Sequence, residues 1–289
     1  GLTGRLTNEQ DIFFRNGQPS RDAANAVICH GTCFMARRQH LQDMGGIPTE
    51  TLSEDFLTSL KLQIRGKRVL YLNEVLSAGF VPDNVGDYLT QRARWGRGTI
   101  QVLFCSLNPL KAPSLDWLQK FYHLMGFWYW ISFIAVCIVF AMPLGYLFFG
   151  LQPLRASLEG MLYFMLPLFA GSIAFTNWIN NGRRSFFWST VYDLIIAFPV
   201  AVTVAQSLVR PFGTPFKVTP KGATMDKATL NTPVAMPLMV LLGAYVVGLG
   251  YNAFVRGALA APSPSEAIIL FWSLYNGLML WMAIIACVD

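Results

Sequence analysis

Charged side chains are scarce in this chain. Only 13% of its 289 residues are Asp, Glu, Lys or Arg, whereas 54% are apolar, and soluble domains typically carry about 25% charged residues. Several apolar stretches approach the length of about 20 residues that a membrane-spanning helix needs. These features exclude an ordinary soluble domain and predict a polytopic membrane protein.

Motifs for metal and disulfide chemistry are lacking as well. The five cysteines form no pair of Cys-x-x-Cys units, and neither His-x-x-x-His nor Asp-x-Asp occurs. The sequence therefore predicts no zinc site, and thiols that stay free in a reducing compartment or in lipid. No secretory signal peptide is recognisable. The net charge of +6 fits the basic inner loops of a membrane protein and does not indicate nucleic-acid binding.

The segment Thr51-Leu-Ser-Glu-Asp55 precedes an amphipathic run that stops at Gly66. Ser53 is placed to cap a helix, Glu54 and Asp55 would lie in its first turn, and Gly66 would end it. On its own, this pair of acids is explained as well by the helix dipole as by catalysis.

A second helix is predicted after Asp87, which can cap it. At 3.6 residues per turn, an amide, a guanidinium, an indole and a glycine share one face of that helix. Arg92 lies about 100° round the helix from its neighbour on that face. By itself the pattern would also suit an ordinary basic helix with one buried tryptophan. The four residues on the shared face are Gln91, Arg94, Trp95 and Gly98.

Together, Thr51-Leu-Ser-Glu-Asp55 and Gln91-Arg-Ala-Arg-Trp95 resemble the Thr-Glu-Asp and Gln-x-x-Arg-Trp signatures of processive family 2 glycosyltransferases. The resemblance implies an α/β domain of the GT-A type, of which residues 1–120 would be the C-terminal part. An α-helical polytopic membrane domain would follow over residues 121–289. Residues 68–72 and 76–81 have the composition of strands in such an α/β domain.

The resemblance also implies roles for single residues. Asp55 would be the base that deprotonates the acceptor hydroxyl, and Glu54 would orient the site. Acceptor binding would fall to Gln91, Trp95 and His30, and diphosphate binding to Arg92 and Arg94.

His30 belongs to Cys29-His-Gly-Thr32, at the place where the family has Phe-Cys-Gly-Ser/Thr in a turn that lines the acceptor channel. A hydrogen-bonded structural imidazole is the alternative interpretation of this histidine.

Phe216-Lys-Val-Thr-Pro-Lys-Gly222 carries the most specific resemblance. It matches the Phe-x-Val-Thr-x-Lys-Gly gating loop of bacterial cellulose synthases, a group within the same family. By that resemblance Phe216, Val218 and Thr219 would contact the nucleotide, and Lys221 would lie near its phosphates. A Pro/Gly-rich membrane loop is the alternative interpretation.

Four apolar segments, at about residues 121–142, 161–179, 233–254 and 267–288, are predicted to span the membrane. Residues 185–209 are expected to form an interfacial helix, and residues 210–230 the gating loop. Residues 91–95 and the gating loop must face the same side if both bind a nucleotide sugar, and the basic residues favour this arrangement. The expected location is the bacterial inner (plasma) membrane, with the catalytic part and the C-terminus cytoplasmic.

The resemblance implies a membrane-embedded, processive, inverting glycosyltransferase that polymerises glucose from UDP-glucose into a β-1,4-glucan and exports it. A curdlan-type β-1,3-glucan synthase and a non-catalytic polysaccharide channel subunit stay open as alternatives. The implied partners are UDP-glucose, the growing glucan, the lipid bilayer and, as a further candidate, a periplasmic accessory subunit. Mg²⁺ is the implied cofactor. Its ligands are expected in an upstream half of the domain that this chain does not include, and none is predicted here.

Overall fold

The computed structural model describes residues 10–77, 79, 81–82, 84–152, 157–182, 185–213, 229–255 and 262–288. Within these residues the chain is mainly helical. A π-helical turn over Phe13–Gly17 leads into the first of the helices, which are α1 (Gln18–Ala23), α2 (Arg38–Asp43), α3 (Glu54–Ile64), α4 (Val85–Gln101), α5 (Trp117–Phe149), α6 (Leu158–Ile179), α7 (Phe186–Val209), α8 (Thr232–Phe254) and α9 (Pro264–Ile285).

The two predicted strands are wrong: none of the described residues in 68–72 or 76–81 is in a strand. A side-chain amide takes the place of a neighbouring strand at the first of these segments. Asn25 Oδ1 accepts a hydrogen bond from Val69 N–H at 2.9 Å, and Asn25 Nδ2 donates to the Lys67 carbonyl at 3.2 Å. Leu70 and Leu72 remain more than half exposed. In the described part of the chain, the predicted α/β architecture is therefore not seen.

The chain divides into two compact units. One holds the described residues of Asn8–Ile134 and Pro199–Thr224, and the other those of Ala135–Phe198 and Met225–Asp289. The division at residue 120 that the sequence suggested stays a prediction.

Helix α3 lies at the centre of the first unit. Its apolar face is buried in a cluster with residues that follow α4 and with α5. The predicted stop at Gly66 is confirmed, because Gly66 has a φ of +71° and Lys67 N–H donates to the Leu62 carbonyl at 2.9 Å. The fully or nearly fully buried members of the cluster are Phe56, Leu57, Leu60, Val102, Ala112, Leu115 and Phe127.

The predicted caps of α3 and α4 need correction. Ser53 stands at the N-cap position of α3, but its side chain makes no capping hydrogen bond. Asn84, not Asp87, caps α4: Asn84 Oδ1 accepts from Asp87 N–H at 2.8 Å, and Asp87 Oδ2 accepts from Asn84 Nδ2 at 2.8 Å. Either residue type can cap a helix, and this reciprocal pair lets α4 begin one turn before the predicted start.

Five helices in the described part of the chain, α5 to α9, are long and apolar enough to cross a membrane. Together with the family assignment below, they make this a multi-pass membrane protein. Four of them cover the predicted spans, and α7 covers the predicted interfacial helix. The interfacial placement of α7 stays a prediction, since its length and composition also suit a crossing.

Buried polar side chains join the helices of the second unit. Pro143 lies inside α5, where it cannot donate a backbone hydrogen bond. One turn away, Tyr245 Oη of α8 donates to the Phe140 carbonyl at 2.6 Å, and Asn276 Nδ2 of α9 donates to Tyr245 Oη at 3.0 Å. Hydrogen bonds of this kind join neighbouring membrane helices.

Candidate active site

The two acidic residues begin α3 with different surroundings. Glu54 is exposed, whereas Asp55 is half-buried and its Oδ1 accepts a hydrogen bond from Phe56 N–H at 2.7 Å. Burial raises the pKa of Asp55 above its ordinary value, and the negative charge of Glu54 adds to this rise. The Phe56 N–H and the positive charge of Arg94 pull the same pKa down. The result is a carboxyl that is more basic than an exposed aspartate.

A glycine turn lies directly against the Asp55 carboxylate. Gly31 has a φ of +76°, and a Cβ at this position would lie 3.1 Å from Asp55 Oδ2. Cys29 N–H donates to Ser59 Oγ of α3 at 3.2 Å, which fixes the turn to the helix. A larger residue than glycine would therefore press on the carboxylate as well as strain the backbone.

A cleft of about 310 Å³ opens beside Glu54. It brings an acid of α3 together with the guanidinium of Arg94 on α4, two groups that the sequence placed on separate motifs. The residues that line the cleft are Thr49, Thr51, Leu52, Glu54 and Arg94.

Two glycines allow α4 to approach its neighbours closely. A Cβ on Gly98 would lie 2.2 Å from Ser53 Oγ and 2.8 Å from Ser53 N, and a Cβ on Gly96 would lie 2.9 Å from Trp130 Cε3 of α5. Atoms cannot approach so closely, so a side chain at either position would push α4 away. Because neither glycine has a side chain, α4 lies close enough to α3 for Arg94 to reach the start of that helix.

Arg92 occupies a different environment from Arg94. It is buried, and its guanidinium lies 4.9 Å from the Tyr88 ring centroid and 4.5 Å from that of Trp95. It is therefore stacked between two rings, a favourable cation–π arrangement that fixes the plane of the indole. Gln91 and Trp95 are both half-buried on α4.

His30 is packed behind the glycine turn. Its ring lies 5.2 Å from Phe13 and 4.9 Å from Phe14, and its Nε2 is 2.9 Å from Gln18 Nε2. The Gln18 amide also donates to the Ile28 carbonyl and accepts from Ile28 N–H, so its orientation is fixed and His30 Nε2 must accept. Burial lowers the pKa of His30 to about 4. These contacts match the structural imidazole that was the alternative interpretation.

The predicted nucleotide-binding residues Phe216, Val218, Thr219 and Lys221 lie outside the described residues. Among the described residues, no group of three His, Cys, Asp or Glu side chains comes together as a metal site. The Mg²⁺ that the resemblance implies therefore has no ligand set in this part of the chain, and none is assigned to it below.

Sequence reasoning missed one residue that contacts the site. Gln101 Oε1 accepts from Leu52 N–H at 2.8 Å, on the wall of the cleft. Gln101 lies three residues after Gly98, so helical periodicity extended by one more turn would have placed it on the same face. The contact of Gly31 with Asp55 has no such signal, because it joins residues that are distant in sequence.

Comparisons with known proteins identify the family. Residues 5–179 match the glycosyl transferase family group 2, and the chain belongs to that family.

The names of similar proteins are more specific than the name of the family. The chain is 32% identical to the UDP-forming cellulose synthase catalytic subunit of Pseudomonas fluorescens (strain SBW25) over 273 residues, which cover 94% of this chain and 37% of that protein. It is 30% identical to the UDP-forming cellulose synthase 1 catalytic subunit of Komagataeibacter xylinus over 286 residues, or 98% of this chain and 38% of the other. The chain thus spans less than two fifths of the length of these relatives.

The contact at Gly98 yields a first prediction. Gly98→Ala should lower the free energy of unfolding by about 1–3 kcal/mol, as expected when a methyl group is forced into a packed contact. Thermal unfolding of the detergent-solubilised protein measures this. Gly243→Ala is the control, since no atom lies within 4 Å of a Cβ at that helical position. Equal unfolding midpoints for the two variants would contradict the close approach of α4.

Proposed function

We propose that this chain is part of a processive, inverting glycosyltransferase that polymerises glucose from UDP-glucose into a β-1,4-glucan and exports it. The observation that carries the proposal is the partly buried Asp55, whose raised pKa is opposed by the charge of Arg94, directly after Glu54, which lines a cleft together with Arg94. The names of the relatives support the donor and the polymer, because they are UDP-forming cellulose synthases.

Asp55 serves as the general base of the transfer. The acceptor hydroxyl oxygen attacks the anomeric carbon of the α-linked donor and forms the new bond as the bond to the UDP oxygen breaks. The hydroxyl proton passes to the Asp55 carboxylate, and the configuration inverts. A raised pKa makes Asp55 a better proton acceptor than an exposed aspartate. Arg94 stabilises the charge that develops on the leaving diphosphate.

Trp95 and Gln91 bind the end of the growing chain. The indole offers a flat apolar surface to a sugar ring. Arg92 stacks on this indole and on the ring of Tyr88, and so holds the indole in place. These contacts support a role for Arg92 in holding Trp95, in place of the diphosphate role that the resemblance implied, and we propose that role here. His30 likewise supports the turn that contains Gly31.

Phe216, Val218, Thr219 and Lys221 contact the nucleotide, with Lys221 at the phosphates. Contacts at the end of α7 support a common side for this segment and the site. Arg97 Nη2 of α4 donates to Gln206 Oε1 at 3.4 Å, and Gln101 Nε2 donates to the Pro211 carbonyl at 2.8 Å. We assign the site to the cytoplasmic face of the bacterial inner membrane, α7 to its interface, and a periplasmic accessory subunit to the exit of the polymer.

The base is tested by Asp55→Asn in the full-length protein. Polymer synthesis should fall by roughly 10²- to 10⁴-fold while UDP binding persists, because only proton transfer is lost. Incorporation of labelled glucose into polymer and inhibition by UDP are the measurements. Asp43→Asn, on an exposed carboxylate of α2 that accepts from Gln39, is the control and should leave synthesis unchanged. Normal synthesis by Asp55→Asn would remove this residue from the mechanism.

The proposed binding of the acceptor by Trp95 is tested by Trp95→Ala. Chain elongation should fall more than the hydrolysis of UDP-glucose to water, since the indole contacts the acceptor and not the donor. Both rates are measured on the same preparation. Tyr88→Ala is the matched control, because it removes the other ring from Arg92 and leaves Trp95 in place. The contrary result is that Trp95→Ala reduces elongation and hydrolysis equally and that Tyr88→Ala does the same. That result would mean that the indole only stabilises the helix.

Sidedness is tested by Thr219→Cys in a background where the exposed Cys33 is replaced by Ser. A membrane-impermeant thiol reagent should modify this cysteine only from the cytoplasmic side, and UDP should slow the reaction. Modification from the periplasmic side would overturn the topology. A rate that does not respond to UDP would instead exclude nucleotide contact by this segment.

A further inference from the structure

Gln101 makes two hydrogen bonds from one buried amide at the end of α4. The residue is 4% exposed. Its Oε1 accepts from Leu52 N–H at 2.8 Å, and its Nε2 donates to the Pro211 carbonyl at 2.8 Å. Both partners are backbone groups with a fixed donor or acceptor role, so the orientation of the amide is unambiguous.

The two partners belong to segments with different proposed roles. Leu52 lines the cleft and precedes the acids of α3, while Pro211 follows α7 and leads toward the proposed nucleotide-binding residues. Gly98, one turn before Gln101, packs on Ser53. The same face of α4 therefore holds the turn before Asp55 by packing and by a hydrogen bond, and holds the segment after α7 by a second hydrogen bond.

We propose that Gln101 is a positioning residue for glycosyl transfer, which keeps the backbone before the base in register with the backbone that enters the nucleotide-binding segment. The inference rests on the proposed function. Loss of the amide would leave the partly buried N–H of Leu52 and the partly buried carbonyl of Pro211 without this partner, and such a loss costs stability.

Gln101→Met in the full-length protein is the first test, because methionine keeps the length of the side chain and removes both hydrogen bonds. Polymer synthesis at saturating UDP-glucose should fall roughly tenfold, and inhibition by UDP should weaken roughly three- to tenfold. Gln119→Met is the matched control. Gln119 is 7% exposed, accepts from Asp116 N–H at 3.0 Å and donates to the Asn25 carbonyl at 3.0 Å, and neither partner lines the cleft. It should lower the unfolding midpoint and leave both kinetic values unchanged.

Gln101→Glu separates the two hydrogen bonds. Its carboxylate still accepts from Leu52 N–H but places an oxygen against the Pro211 carbonyl, whereas the protonated carboxyl can donate there. UDP inhibition, measured relative to the wild type, should therefore strengthen as the pH falls, while that of Gln101→Met should not follow pH. Dividing by the wild-type value removes any dependence on pH that the two proteins share. The charged residues nearest in sequence to Gln101 and its two partners are Glu50, Glu54, Arg97 and Arg210.

Three outcomes would overturn the inference. They are kinetic values for Gln101→Met that match those of Gln119→Met, a loss of synthesis without a loss of UDP inhibition, and a pH-independent ratio for Gln101→Glu. If Gln101→Met does not fold, the glutamate variant alone decides. Failure of the proposed function has a different signature: a wild-type protein that is not inhibited by UDP, or full synthesis by Asp55→Asn.

Discussion

The tightest packing contact of a glycine in the described part of the first unit joins Gly98 of α4 to the turn that precedes α3. The backbone of α4 lies where even a methyl group would come within 2.2 Å of Ser53 Oγ. This approach brings Arg94 to the cleft and Gln101 to Leu52 N–H. It also explains why Ser53 does not cap α3, since its side chain faces the glycine. The two signature segments therefore pack directly on each other, and a side chain at position 98 would separate Asp55, the proposed base, from Arg94.

The surroundings of Asp55 set a balance between desolvation and charge. Burial alone would favour a protonated carboxyl, which cannot accept a proton from an acceptor sugar. The Phe56 N–H and the charge of Arg94 oppose that effect and favour the carboxylate. A general base needs a pKa that is high enough for proton affinity and low enough for ionisation at working pH. The contacts of Asp55 act in both directions, and Gly31 keeps the carboxylate covered without displacing it.

The sequence predicts the parts of the site that depend on local rules. Helical spacing placed Arg94, Trp95 and Gly98 on one face, and Gly66 marked the end of α3. The predictions that failed depended on distant partners. Residues 68–72 have strand composition, but a strand needs a neighbour, and the amide of Asn25 binds the start of this segment instead. Local rules also missed the stacking of Arg92, because a helical wheel shows only that Arg92 and Arg94 point in different directions. Arg92 is held by the rings of Tyr88 and Trp95, and Arg94 is the one that reaches the cleft.

The assignment of one arginine to the rings leaves an electrostatic requirement. Glu54 and Asp55 contribute two negative charges beside the cleft, and Arg94 contributes one positive charge. A nucleotide diphosphate adds further negative charge, so Arg94 alone does not neutralise the occupied site. Binding of UDP then requires positive charge from elsewhere, and a cleft that already holds unbalanced carboxylates would otherwise repel the donor. Lys221, in the segment that Pro211 leads toward, is the proposed source within this chain. If Lys221 has this role, the hydrogen bond from Gln101 to Pro211 connects the segment of the proposed positive charge to α4, the helix that carries Arg94.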